Sequence, residues 1–292
     1  MQKLKKKKIA ILGTSPIMII LYFRLKKENL VDVFENSKIG GAWRIDKYKG
    51  TYYSAHNNVI VALNNKEEKY IELINKDLEN FGCKKIKPRG KYELVSNYIP
   101  KNTYMHDLSN LYLKFKKNCS SLKKKKITNA KVYFDNVYLN NIKYDQVFFP
   151  SCFNVNKISI NNSNFKIKNK RSISHHLTVI YKKTKLPNIS YTENFDNVFD
   201  RAYFKENKKY IFFTGRVRRN YKKLQSNQLV RISHLLKNTL KDIIKIKINR
   251  FCHNVIEENI LKDLKLKLNQ TNMTIIETKQ FVNSYKLLEK LK

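Results

Sequence analysis

The sequence predicts an α/β fold: a parallel sheet with crossover helices and a β-meander, carrying an inserted α+β domain. Three observations point there. The apolar run Lys8–Leu12 (KIAIL) passes through a glycine turn directly into a helical stretch. A second apolar run, Leu30–Phe34 (LVDVF), follows, so strand, turn, helix and strand make a βαβ unit, whose crossover is right-handed by rule. Beyond about residue 130, short strand-like pieces alternate with turn residues.

Taken in order, Lys8–Leu12 reads as a buried parallel strand because it is continuously apolar rather than alternating. Gly13-Thr14-Ser15-Pro16 is the turn, with Pro16 where a first helical residue tolerates proline. The spacing predicts helix from Ile17 to Lys27, its basic end suiting the negative pole of the helix dipole. Residues 67–81 repeat apolar side chains at helical spacing and stop at Gly82, a candidate C-terminal cap. A second such pattern runs from His106 to Lys117, and Lys123–Lys126 reads as a solvated loop. Val132–Phe134, Asn136–Leu139 and the Asn140-Asn141 turn predict a meander, from which Val147–Phe149 returns as a buried strand stopped by Pro150. Leu177–Tyr181 and Tyr210–Phe213 read as strands, Tyr221–Leu240 as a helix, and the remaining carboxy-terminal stretch as mixed helix and strand.

The expected domain division is 1–60 and 127–155 for the nucleotide-binding domain, with 216–292 as the segment to complete it. Residues 61–126 and 156–215 are then the substrate domain. A length of 292 residues is enough for both, and 12% aromatic residues excludes a disordered tail protein. The apolar stretch Ile9–Phe23 is too short to span a bilayer and is broken by the glycine turn. The four cysteines are far apart and lack a CxxC pair, which argues against a zinc site or disulfide framework and for reduced thiols in a cytoplasmic protein. The net charge of +37 favours anionic partners.

The glycine turn has the position, though only the first glycine, of a dinucleotide-binding G-x-G-x-x-G: Gly13 matches, and Ser15 and Met18 occupy the second and third places. Glu35 stands at the end of the second strand, where a carboxylate accepts hydrogen bonds from ribose hydroxyls, and Gly40-Gly41-Ala42-Trp43 follows within a short loop.

The stretch IAILGTSPIMIILYFRLKKENLVDVFENSKIGGAWR resembles the amino-terminal FAD-binding segment of the two-dinucleotide-binding-domain flavoproteins. This group includes amine oxidases, protoporphyrinogen oxidases, phytoene desaturases, UDP-galactopyranose mutases and flavin monooxygenases. There an acidic residue after the second strand precedes a paired-glycine motif, matched here by Glu35 and Gly40-Gly41. The match covers residues 8–44, with a looser echo at 130–150. The resemblance implies a Rossmann-type domain binding FAD, or NAD(P) in its place. It implies that Gly13, Thr14, Ser15 and Pro16 line the pyrophosphate turn and that Glu35 holds the adenosine ribose. Gly40 and Gly41 would let the backbone pass close to the cofactor, and Arg44 closes the matched segment. Trp43 either shields the cofactor or belongs to the core. The family's carboxy-terminal flavin motif has no clear counterpart; Phe213-Thr214-Gly215-Arg216, similar to the Gly-Arg pair of the mutases, comes nearest.

Arg216 and Arg218, with Arg201 alongside, are the candidates for binding an anionic substrate, since guanidinium groups grip oxyanions bidentately. The bland alternative is a solvated turn in a chain that is basic nearly everywhere. His175-His176 precedes a strand, so its two side chains should face opposite ways. The expected function is an FAD-binding oxidoreductase acting on an anionic small molecule. The rivals are a non-catalytic protein on the same fold and a basic protein at nucleic acid or a membrane surface. Against nucleic acid stand the lack of a known motif and the even spread of charge.

Overall fold

β1 (Lys8–Leu12) is apolar on both faces, with Ile9 to Leu12 at most 1% exposed, and such a strand must be paired along both edges and covered above and below. The computed structural model describes residues 6–55, 59–62, 65–86, 102–152, 155, 157–167, 169–185, 191–193, 199–217, 226–277 and 285–286. β2 (Leu30–Phe34) lies on one edge of β1, Ile9 opposite Val31 and Ile11 opposite Val33, and Gln146–Pro150 lies on the other, both parallel. Met273–Ile276 and Leu122–Lys123 extend the sheet outward, again parallel. Five parallel strands thus draw on four separated parts of the chain.

α1 (Pro16–Leu25) connects β1 to β2 and is buried from Pro16 through Tyr22. A helix apolar on all sides must be enclosed on all sides. The helix Ser109–Asn118 helps through an aromatic cluster: Phe115 stands edge-on to Tyr22 at 5.3 Å and to Phe23 at 6.5 Å. The Tyr22 hydroxyl donates to the Asn118 carbonyl at 2.9 Å.

Contacts divide the chain into two units, Met1–Gly41 with Leu111–Ser172 and His253–Lys292, and Ala42–Asn110 with Ile173–Cys252. The first therefore holds residues 111–126, which the sequence grouped with the substrate domain, because Leu122–Lys123 pairs with β2. Lys123, expected in a solvated loop, gives its ammonium to Asp32 Oδ2 at 2.6 Å, where the Tyr144 hydroxyl also donates at 2.8 Å. This unit also contains the meander: Asn129–Val132, Val137–Leu139 and Ile142–Tyr144, continued by Lys157–Ile160 and Ser163–Lys166. Its first strand ends at Val132 rather than running to Phe134. Two of its three hairpins close on two-residue turns, Asn140-Asn141 and Asn161-Asn162, all with positive φ, the geometry that matches strand twist.

In the second unit a five-stranded sheet runs in the order Tyr191–Glu193, Phe199–Glu206, Tyr210–Val217, Asn169–Lys182 and Ile243–Ile256. The helix Ser226–Leu235 covers one face, Ile232 and Leu236 packing with Leu177, Val179, Phe204 and Phe213. This helix is shorter than the expected Tyr221–Leu240: residues 221–225 lie outside the described ones, and Lys237 at φ +54 turns the chain out. Asn238 and Lys237 donate back to the carbonyls of Ser233 and His234, which satisfies the helix end. On the opposite face Tyr53 stacks on Phe212 at 4.8 Å. A smaller antiparallel sheet of Val59–Ala62, Asn102–Asp107 and Lys84–Ile86 accompanies the helix Asn65–Asn80, which ends at Gly82 (φ +75) as expected.

The expected helix start at His106 is corrected: His106 and Asp107 belong to a strand, and the helix begins at Ser109. Asp107 Oδ1 accepts from the Ser109 amide at 3.1 Å and from its hydroxyl at 2.5 Å, so the carboxylate caps the helix from outside it. His106 is 1% exposed, and burial, aided by the charge of Lys85 opposite it, pushes its imidazole down to about 4. The unfolded chain binds a proton near pH 6.5, whereas the fold refuses it until about pH 4, so stability falls as pH drops through that window. Between pH 7 and 4.5 the loss should be about 2–3 kcal/mol, and His106→Leu should remove that component. Urea titrations of both proteins at the two pH values check this; an equal loss in both would acquit the imidazole.

Candidate functional site

The chain leaves β1 at Gly13, whose φ of +88 is one that glycine adopts without strain, and whose amide donates to the Phe34 carbonyl at 2.6 Å. Thr14 follows, 1% exposed. Its hydroxyl donates to Glu35 Oε2 at 2.5 Å and accepts the Gly40 amide at 2.7 Å. Glu35, 5% exposed, uses its other oxygen to accept from the Ser37 amide at 2.9 Å and the Ser37 hydroxyl at 2.8 Å. One threonine hydroxyl thus clasps three segments: the turn after β1, the end of β2 and the paired-glycine loop.

Ser15 is the N-cap of α1, in extended conformation before Pro16, yet its hydroxyl makes no capping bond. Ser15 Oγ is buried and has no hydrogen-bond partner among the described residues. The first intrahelical bond is Ile19 N–H to the Ser15 carbonyl, so the amides of Ile17 and Met18 point out of the helix end without an intrahelical acceptor. No acidic side chain sits in the first turn to answer the positive end of the dipole. An orphaned hydroxyl, two free amide donors and a dipole end fit an anionic group, and a dinucleotide's pyrophosphate is such a group. A carboxylate has about four lone-pair sites, and Glu35 has three donors in place, leaving capacity on Oε2 for one ribose hydroxyl.

Met18, standing where the family has its third glycine, is 1% exposed and part of the enclosed face of α1. Gly40 and Gly41 take φ of +88 and +51. A Cβ built on Gly41 would meet nothing within 4 Å, so glycine is required there by backbone conformation and not by crowding.

The remaining candidates fall in the second unit. Trp43 is half-buried, in a single 3-10 turn over Gly41–Trp43. Arg44 is engaged there: its guanidinium donates to Asn249 Oδ1 at 3.1 Å, lies 4.4 Å from the Phe251 ring centroid, and pairs with Asp46 at 3.6 Å. Strand register sets Arg201 opposite Arg216, a pairing the sequence alone did not reveal. The Arg216 side chain is exposed; that of Arg201, and all of Arg218, lie outside the described residues. Thr214, in the stretch compared with the mutases' Gly-Arg pair, is buried and donates to the Ser54 carbonyl at 3.1 Å. His175 is exposed and His176 fully buried, edge-on to Phe251 at 5.0 Å, as alternation requires. No group of three metal-ligating side chains is present among the described residues. Sequence reasoning missed Ser37 and the bridging role of Thr14; the signals were a hydroxyl residue right after the turn glycine and another two positions after the acid.

The chain matches no protein-family model and no curated protein. Among solved structures it is similar to a putrescine oxidase bound to putrescine, 9% identical with a TM-score of 0.60, over 97% of this chain and 95% of that one. It is similar to a cyclohexylamine oxidase from Brevibacterium oxydans, 9% identical with a TM-score of 0.62, over 96% and 95%. A fatty acid isomerase from P. acnes gives 9% and 0.55, over 99% of both chains. At this identity the likeness is one of fold. The chain has the Rossmann-type fold of the amine oxidase-like flavoenzymes that its amino-terminal segment resembles.

Thr14→Val should destabilise the first unit by about 2–4 kcal/mol, because a buried carboxylate and a buried amide each lose a partner. Thr14→Ser should retain most of the stability. Chemical denaturation of the two variants checks the clasp; equal stabilities would mean that the methyl group, not the hydroxyl, matters.

Proposed function

We propose that the chain binds FAD at the α1 end of the parallel sheet and acts as a flavin-dependent oxidoreductase. The observation that carries this reading is the unpartnered, buried Ser15 hydroxyl at an uncapped helix N-terminus, beside a carboxylate held by the Thr14 clasp. In this arrangement the Ser15 hydroxyl and the amides of Ile17 and Met18 receive the pyrophosphate oxygens. Glu35 accepts from the adenosine ribose, and Thr14 and Ser37 fix its two oxygens so that the carboxylate is oriented before the ligand arrives. Gly40 and Gly41, at positive φ, carry the backbone past that position without side chains. A flavin bound there supplies hydride transfer from a substrate.

The fold itself does not choose the substrate's charge, since neighbours on it are an amine oxidase by name and a fatty acid isomerase by name. For an anionic substrate speak the net charge of +37 and the adjacent register of Arg201 and Arg216. A non-catalytic dinucleotide binder is the second reading, favoured by Met18 in place of a glycine and by the engaged Thr214 next to Gly215-Arg216.

Equilibrium dialysis of the purified full chain with FAD, and with ADP as competitor, tests the cofactor site without needing turnover. FAD should be retained with its visible absorption bands and displaced by ADP. Ser15→Ala should weaken both ligands by about ten-fold or more, the scale of one lost hydrogen bond to a charged group. Retention of neither ligand by correctly folded protein would overturn the assignment. FAD binding that leaves the flavin inert to reductants would favour the second reading.

A further inference from the structure

The outer face of the meander holds a cleft of about 480 Å³ lined by Lys131, Tyr133, Asn136, Tyr138 and Asn141. An adjoining cleft of about 380 Å³ shares Lys131, Tyr138 and Asn141 and adds Asn129 and Asn140. We propose that this face is a binding site for single-stranded nucleic acid, with one base in the Tyr133–Tyr138 corner and its flanking phosphates on Lys131 and Lys143.

The register builds the site. Tyr138 lies opposite Lys143 on one side and Lys131 on the other, and Lys131 in turn lies opposite Ser159. These residues share one face, because their neighbours Ala130, Val132, Val137, Leu139 and Tyr144 all turn into the core. Directly opposed side chains in a sheet are about 5 Å apart at Cβ, so two ammonium groups flank one aromatic ring. Tyr133 stands at 89° to Tyr138 with centroids 5.8 Å apart, which makes a corner rather than a flat patch. Tyr133 is 38% and Phe134 68% exposed, so both rings are open to a flat ligand.

The chemistry of the lining selects the ligand class. Aromatic faces take any base by stacking, ammonium groups take phosphate, and asparagine amides both donate and accept at base edges. Among the described residues, the lining of the two clefts includes no carboxylate, although exposed Asp135 lies in the same turn as Tyr133 and Asn136. A duplex keeps its bases stacked inside, so only an unpaired base can lie against these rings. The sheet face with aromatic and basic residues is also where single-strand binding modules place their ligand, although the fold here is a different one.

Fluorescence anisotropy with labelled dT10 and the full chain, at about 50 mM salt and above, tests the proposal. The parent should bind, and Tyr133→Ala with Tyr138→Ala should bind at least about ten-fold more weakly with net charge unchanged. Tyr138→Phe should bind like the parent, and Tyr138→Leu, which keeps an apolar stem, guards against a folding defect and should be weak. Lys131→Gln should lower the salt slope by about 0.7, the counterion share of one phosphate, while Lys241→Gln, on the other unit, should not alter the effect of the rings. Two outcomes would overturn the site. One is an absence of binding at low salt. The other is dT10 binding that survives loss of both rings and is displaced equally well by inorganic polyphosphate, which would make the attraction one of bulk charge.

Discussion

The structure is organised by one strand with nowhere to expose itself. β1 is buried on both faces and hydrogen-bonded on both edges, so it must lie mid-sheet, with β2 on one side and Gln146–Pro150 on the other. Its parallel partner in sequence can be reached only by a crossover, and the crossover helix α1 must itself be enclosed because it is apolar all round. The enclosure recruits the Tyr22, Phe23 and Phe115 rings. The same constraint makes the turn at Gly13 tight and fixes where the helix points its free amides. Site and core are therefore consequences of a single burial requirement.

What was legible in the sequence follows from how local the signal is. β1, α1 and β2 stand where the pattern puts them, because continuous apolarity over five residues and a proline at the first helical position are local features. Met273–Ile276 was hidden: four residues carry little pattern, and their membership of the parallel sheet is decided by partners more than a hundred residues away. Apolar spacing places the helix start too early, at His106, because Asp107 reads as an exposed acid yet acts as a cap for the helix that begins at Ser109. Ile243–Ile256 alternates clearly, yet it presents Ile244, Ile246 and Ile248 outward at 41, 43 and 63% exposure, opposite to the usual rule. For the site, residue identities at Gly13, Glu35 and the glycine pair were readable as motif. The clasp was not, since it depends on where three loops meet.

Scarcity of glycine also shaped the architecture. The chain has seven, and those at 13, 40 and 41 are held at positive φ in the candidate site. One hairpin turn, Lys49-Gly50, uses glycine, whereas two in the meander sheet are made by the asparagine pairs at 140–141 and 161–162, the side chain that best tolerates the left-handed region. The amide of Asn141 then lines the cleft, so a substitution for turn geometry also supplies polar groups at the surface.

The inward turn of the acids has a further effect. Glu35 is spent on Thr14 and Ser37, Asp32 on Lys123 and Tyr144, Asp46 on Lys247 and Arg44, and Asp107 on Lys205 and Ser109. Each pairing draws negative charge away from the solvent boundary, while most of the lysines remain at it. Other acids stay at the surface, Glu28, Glu72, Glu79, Asp135, Glu257, Glu258 and Asp263 being exposed, but the lysines outnumber them and the excess positive charge is answered by mobile counter-ions. Within a screening length of about 8 Å at physiological ionic strength, neighbouring lysines still push against one another. Dilute buffer should loosen the fold and hold separate molecules apart, whereas multivalent anions should draw them together. Any response to ionic strength is therefore a property of the excess positive charge of the whole chain and not of any one residue.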